Sequence, residues 1–134
     1  MCSGGRAYVD KALNWPGMNI NLLVLKTSRP EALASFYGML GIVFEEQRHD
    51  KGPLHYAAEI DGVVFEIYPL PKGRDKADDT VRLGFTVDDL NATVSKLRDA
   101  GAKIIQETVV TEWGYGAIVE DWDGRKVELK RIGH

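Results

Sequence analysis

The chain has 134 residues and a mass of 14.9 kDa, which is the size of a single domain. Hydrophobic residues make up 44% and charged residues 28%, so a low-complexity chain is excluded. The formal charge is −3 and the two signs are interleaved, so we expect no nucleic-acid partner. The longest apolar run, Leu22 to Leu25, has four residues against the roughly 20 of a membrane-spanning helix, so no membrane partner is expected.

The N-terminal segment, residues 1–17, is predicted to be an extension outside the domain. Arg6 is followed by no apolar stretch of the kind that a secretory signal contains. Cys2 is the only cysteine, which excludes an internal disulfide and fits a reducing compartment. We therefore expect a cytoplasmic protein.

An internal repeat organises the remaining residues, 18–134, which we predict to form one domain. Sliding the chain by 60 residues places Leu23 on Leu83 and Gly41 on Gly101. A slide of 62 places 61–67 on 123–129. We predict one unit over 18–70, a second over 80–132, and a charged linker over 71–79.

In chain order, each unit is predicted to be βαβββ. In the first unit, Ser28 as N-cap and Pro30 in the first turn predict a helix, which stops at Gly41. In the second unit, Asp88 or Asp89 takes the capping position. The predicted strands cover 19–26, 42–46, 54–60 and 63–68, then 80–87, 102–109, 115–120 and 126–132. The turns Asp61-Gly62 and Asp123-Gly124 predict antiparallel pairing of the last two strands of each unit.

The alternation of residues along the strands separates a helix-facing side from a second side. In 80–87 the odd positions are all apolar, while the even positions include Arg82. The last strand of each unit places Glu66 and Glu128 on the second side, and Leu22 shares it in the first strand. Carboxylates and an arginine among aliphatic residues indicate a concave cavity on this side.

Four aromatic residues are candidates for stacking on a ligand in that cavity, with packing in the core or at the rim as the alternative interpretation. They are Tyr56, Tyr68, Trp113 and Tyr115. His49 and His55 flank a Lys-Gly-Pro turn, and we predict them to be solvated loop residues.

Three motifs together resemble the vicinal oxygen chelate superfamily, which includes glyoxalase I, bleomycin-resistance proteins and extradiol dioxygenases. They are Ser35-Phe36-Tyr37 with Leu40-Gly41, Trp113-Gly114, and D-W-D-G-R-K-V-E-L at 121–129. The resemblance implies an α+β fold in which two βαβββ units form a cupped mixed sheet. It also implies a homodimer that closes the cup.

Metal-dependent members of that superfamily carry a ligand on the first and on the last strand of each unit. The last-strand positions match at Glu66 and Glu128. The first-strand positions fall on Leu22, which has no lone pair, and on Arg82, a permanent cation. We therefore expect no metal and no other cofactor.

Two interpretations of function follow from the resemblance. The first is a metal-free protein that binds a small amphipathic molecule in the cavity. The alternative is a lyase, isomerase or dioxygenase, either metal-dependent or using Glu66 or Glu128 as a base with Arg82 stabilising an oxyanion. Arg82 is expected to form an internal ion pair with Glu128 or Glu66, and in the sharper hypothesis it also holds a ligand carboxylate or phosphate.

Overall fold

The computed structural model describes residues 17–112 and 114–131. The extension up to residue 16, Trp113 and the last three residues lie outside the described part of the chain. The elements are β1 (Leu22–Thr27), α1 (Pro30–Gly38), β2 (Glu45–Gln47), β3 (His55–Ile60), β4 (Val63–Pro69), β5 (Leu83–Val87), α2 (Leu90–Asp99), β6 (Ile104–Thr111), β7 (Gly114–Glu120) and β8 (Lys126–Arg131).

Two four-stranded sheets hold these strands, with orders β1-β4-β3-β2 and β5-β8-β7-β6. In each sheet the first strand pairs in parallel with the last strand of its unit, and the remaining pairs are antiparallel. A parallel pair requires a crossover, which α1 and α2 supply. The predicted α+β fold of two βαβββ units is therefore confirmed.

The helix starts differ between the two units. Asp89, one of the two predicted capping residues, is the N-cap of α2. Its carboxylate accepts a hydrogen bond from the Ala92 N–H at 3.0 Å. The predicted cap Ser28 is wrong, because α1 begins one residue later with Arg29 as its N-cap and without a side-chain cap. A proline disfavours helical backbone in the residue before it, and Arg29 accordingly lies outside the helical region, with φ −135° and ψ 76°.

One hydrophobic core lies between the helices and the sheets and includes residues of both units. Tyr37 of α1 packs against Phe65 of the first sheet and Phe85 of the second, with ring centroids 5.2 and 5.7 Å apart. The two sheets therefore bury their inner faces against shared side chains. Within residues 17–112 and 114–131, neither helix is long and apolar enough to cross a membrane.

A buried polar network also joins the units. Arg125 is 1% exposed, and its Nη1 donates to Asp121 at 3.1 Å and to Asp123 at 3.0 Å. Its Nη2 donates to the Lys26 carbonyl of β1 at 2.9 Å. The Tyr37 hydroxyl donates at 2.7 Å to Asp121 Oδ2, the same oxygen that accepts from Arg125 Nη1. Buried charges are tolerated when they are paired and hydrogen-bonded in this way.

Candidate functional site

The outer face of the second sheet carries an open groove of about 570 Å³, which we call the second-unit groove. Glu128 and Lys130 line it together with Arg82, while Val127, the neighbour of Glu128 in β8, faces the core. Its lining residues come from β6, β7, β8 and the segment before β5: Arg82, Gln106, Val109, Thr111, Gly116, Ala117, Ile118, Glu128, Leu129 and Lys130. The structure therefore places Arg82 and Glu128 on the same outer face of the second sheet, as the alternation predicts.

The polar centre of this groove is an ion pair. Arg82 Nε donates to Glu128 Oε2 at 2.7 Å, so Glu128 rather than Glu66 is the partner of Arg82. The two side chains are 53% and 41% exposed in the single chain. The expectation of a buried internal pair is therefore wrong for the isolated chain, because the outer face of the sheet is open to water.

We expect Arg82→Met to lower the free energy of unfolding of the monomeric chain by no more than about 1 kcal/mol, because a half-exposed ion pair contributes little. Chemical denaturation at low protein concentration measures this value. A loss of unfolding free energy several times larger would mean that the ion pair is buried, as it would be in a closed assembly. Repeating the measurement at high protein concentration shows whether the loss depends on assembly.

The first sheet carries the corresponding first-unit groove, of about 390 Å³. It is acidic and partly apolar, and its lining residues are Val43, Glu45, Gln47, Ala57, Ala58, Glu59, Val64 and Glu66. Leu22 lies beside it, since β1 pairs Leu22 with Val64, and its side chain is 54% exposed. Glu66 and Leu22 therefore share one face, as the strand alternation predicts.

The two grooves have no lining residue in common. Within the described part of one chain, Leu22 and Glu66 therefore belong to one open face, and Arg82 and Glu128 belong to another. The chain folded alone does not bring the four predicted positions into one cavity.

None of the described aromatic candidates lines either groove. Tyr56 pairs with Ile67 and packs against the core from the helix side. Tyr68 stacks on His55, with centroids 4.1 Å apart and planes at 7°. Tyr115 lies under the Arg131 guanidinium at 4.0 Å, in a separate depression beside the start of α2. Trp113 lies outside the described residues.

His55 is not the solvated loop residue that its position beside a turn predicts. It is the first residue of β3 and is 1% exposed, with one ring face against Tyr68. Its Nδ1 lies 3.2 Å from the Pro53 carbonyl, and the His49 ring lies 5.2 Å away between centroids. The stack on Tyr68 covers one face of the imidazole, which its position beside a turn does not reveal.

The four positions at which the family resemblance implies metal ligands, Leu22, Glu66, Arg82 and Glu128, do not fit a divalent cation. Glu66 offers a carboxylate, but Leu22 offers no lone pair and Arg82 points its Nε–H at the remaining carboxylate, Glu128. Among the residues that the structure describes, no three His, Cys, Asp or Glu side chains are grouped so as to hold a metal ion.

The sequence interpretation missed the groove residues of β6 and β7. Gln106, Val109 and Ile118 line this groove together with Arg82. Their alternation is interrupted, because the pairing of β6 with β7 shifts register between Ile104 and Gln106 and again between Gln106 and Val109. A bulged strand changes which residues face the groove, so strict alternation does not identify them.

The fold is thus two βαβββ units with a shared core and an open groove on the outer face of each sheet. The sequence profile of the Glyoxalase/Bleomycin resistance protein/Dioxygenase superfamily matches residues 19–129. The chain therefore belongs to this superfamily.

Solved structures share the fold at low sequence identity. A glyoxalase/bleomycin resistance protein/dioxygenase family enzyme from Burkholderia phytofirmans PsJN is 18% identical, with a TM-score of 0.65 over 87% of this chain and 100% of that one. A hypothetical protein from S. aureus is 23% identical, with a TM-score of 0.62 over 84% and 95% of the two chains. TioX from Micromonospora sp. ML1 is 19% identical, with a TM-score of 0.61 over 85% and 98%. A comparison with curated proteins finds no match.

Proposed function

We propose that the protein binds a small amphipathic molecule without a metal, in a cavity built on the second-unit groove. The observation that carries this proposal is the Arg82–Glu128 pair in an open groove, where a cation and a carboxylate lie side by side among apolar residues. An arginine fixed by a neighbouring carboxylate is oriented to hold an anion.

The chemistry of the groove supports a ligand with an anionic end and an apolar body. The contact with Glu128 uses Nε of Arg82, which leaves the two Nη groups of the guanidinium for a carboxylate or phosphate. Lys130 adds a second positive charge, and Val109 and Ile118 supply apolar wall. Because Arg82 and Glu128 engage each other directly, this arrangement favours binding over proton transfer by Glu128.

We propose in addition that two copies close the cavity, with the first-unit groove of one protomer facing the second-unit groove of its partner. Glu45, Glu59 and Glu66 make the first groove negative, whereas Arg82 and Lys130 make the second one positive on balance. Exposed apolar side chains, among them Leu22, Val43 and Val64, border the first groove. Complementary charge and exposed apolar surface are features of a protein interface, and a two-fold axis would make the contact twice.

Ligand binding can be measured with 8-anilinonaphthalene-1-sulfonate, a fluorescent probe with an aromatic body and one anionic group. We expect the protein to bind the probe, Arg82→Met to weaken binding about tenfold or more, and Arg82→Lys to weaken it less. Lys103→Met removes an exposed positive charge outside the groove and serves as the matched control. Equal binding by the wild type, Arg82→Met and Lys103→Met would contradict the proposed site.

We expect sedimentation equilibrium at micromolar concentration to give a dimer. Glu66→Lys with Glu45→Lys places positive charge opposite Arg82 and should shift the equilibrium to the monomer. Asp75→Lys with Asp99→Lys changes the charge equally at exposed sites outside both grooves, and this control should remain dimeric. A monomeric wild-type protein, or equal dissociation of both double variants, would contradict the proposed arrangement.

A further inference from the structure

A third groove lies where the two units meet, and we call it the junction groove. It measures about 390 Å³ and lies between β1 and the segment that connects the units. The lining residues used below are Val24, Lys26, Arg74, Lys76, Asp78 and Arg125. None of them lines the second-unit groove, so the junction groove is separate from the site of the proposed function.

Positive charge dominates the junction groove. Lys26, Arg74 and Lys76 are cationic and exposed, and Asp78 is the anionic lining residue. Asp78 is engaged locally, because its Oδ1 accepts hydrogen bonds from the Thr80 N–H at 2.9 Å and from the Thr80 hydroxyl at 2.7 Å. These hydrogen bonds hold the pKa of Asp78 below its ordinary value. The positive charges of Lys26, Arg74 and Lys76 therefore favour the binding of an anion in the junction groove.

A buried donor in the wall of the groove lacks an acceptor. Arg125 uses Nη1 and Nη2 in the network that joins the units, but its Nε has no hydrogen-bond partner among the described residues. Buried guanidinium N–H groups without a partner are uncommon, because the missing hydrogen bond is costly. Arg125 also lines the junction groove, so an anion bound there lies next to this unpaired donor.

The edge of β1 adds backbone donors. The Asn21 carbonyl accepts a hydrogen bond from Val64 of β4, and the Thr27 carbonyl accepts one from Leu70, which follows β4. The backbone groups of the odd-numbered residues of β1 therefore face β4. The Lys26 carbonyl faces the opposite way, toward Arg125. Since the N–H and C=O of one strand residue point to the same side, the N–H groups of Lys26 and Val24 face the junction groove.

We propose that the junction groove binds a phosphate group. Donors reach it from three directions: the β1 edge, the Arg125 guanidinium, and Arg74 with Lys76 from the connecting segment. A tetrahedral oxyanion presents several acceptor oxygens at once, which suits donors arranged in this way better than a single planar carboxylate does. The group is free phosphate or the head of a small phosphomonoester, and the groove exceeds the size of phosphate alone.

The test uses the intact protein with inorganic phosphate and with glycerol 3-phosphate as probes at constant ionic strength. Proton–nitrogen NMR follows the Arg125 Nε–H signal, and the same titrations give dissociation constants. We expect saturable shifts of that signal. The probe that binds more tightly identifies the source of the phosphate group.

Arg74→Gln with Lys76→Gln should weaken phosphate binding about tenfold or more, because charge-assisted hydrogen bonds are lost. Lys72→Gln with Lys103→Gln removes the same charge at exposed positions outside the groove and should leave the affinity within about twofold. An unmoved Arg125 signal, or equal weakening by both double variants, would overturn the proposal. If Arg82→Met alone abolished phosphate binding, the phosphate would bind in the second-unit groove. That result would also overturn the proposal.

Discussion

Replacing Arg125 by methionine is expected to lower the free energy of unfolding by about 3 to 5 kcal/mol, the usual cost of breaking one side of a buried ion pair. The guanidinium satisfies Asp121 and Asp123 and holds the Lys26 carbonyl of the other unit. Its loss leaves the fully buried Asp121 carboxylate without its cation. Urea denaturation followed by circular dichroism measures the difference.

Arg98→Met is the matched control, because Arg98 also pairs with a carboxylate, that of Glu107, but on the exposed surface of the second unit. We expect its unfolding midpoint to stay close to that of the wild type. If Arg125→Met and Arg98→Met have similar effects, the Arg125 network does not join the two units as described.

Tyr37→Phe is expected to cost about 1 to 3 kcal/mol near neutral pH, because the buried Asp121 carboxylate loses one of its hydrogen bonds. Burial, followed by the charge of Asp121 and the hydrogen bond to it, raises the pKa of Tyr37 far above its ordinary value of 10. A group with a raised folded-state pKa stabilises the fold below its unfolded-state pKa, and this contribution is lost as the pH rises above it.

The wild type should therefore lose an additional stability of about 1.4 kcal/mol per pH unit above pH 10, and Tyr37→Phe should lack this component. Denaturation curves between pH 8 and 11 test the expectation. Tyr115→Phe, which removes an exposed hydroxyl, is the control and should follow the wild type. Parallel pH curves for all three proteins would contradict the assigned role of Tyr37.

The fold could be predicted from the sequence because its signals are local and occur twice. Alternation along the strands separates Glu66 and Glu128 from the core residues beside them. Gly41 and Gly101 follow the C-caps of the two helices with positive φ values of 108° and 97°. Backbone preferences of this kind depend on near neighbours in sequence. Because the two units repeat at a nearly fixed spacing in sequence, an element or strand face identified in one unit identifies the corresponding residues in the other.

The groove was harder to predict because its composition depends on contacts between distant segments. Strict alternation fails across the register shifts of β6, so it does not predict that Gln106 and Val109 line the second-unit groove. Tyr56 and Tyr115 are aromatic in sequence, but their strand pairing turns them away from the groove lined by Arg82. Which carboxylate pairs with Arg82 is likewise set by the packing of β5 beside β8, which brings Glu128 to it.

Native mass spectrometry of the protein as purified tests the central claim most directly, because one spectrum reports the assembly, any metal and any retained small molecule. We expect a dimer, twice the 14.9 kDa chain, that carries no stoichiometric metal and retains a small organic anion, which Arg82→Met fails to retain. A spectrum in which each chain carries one divalent metal ion, or in which the monomer alone is present without a retained molecule, would contradict the account.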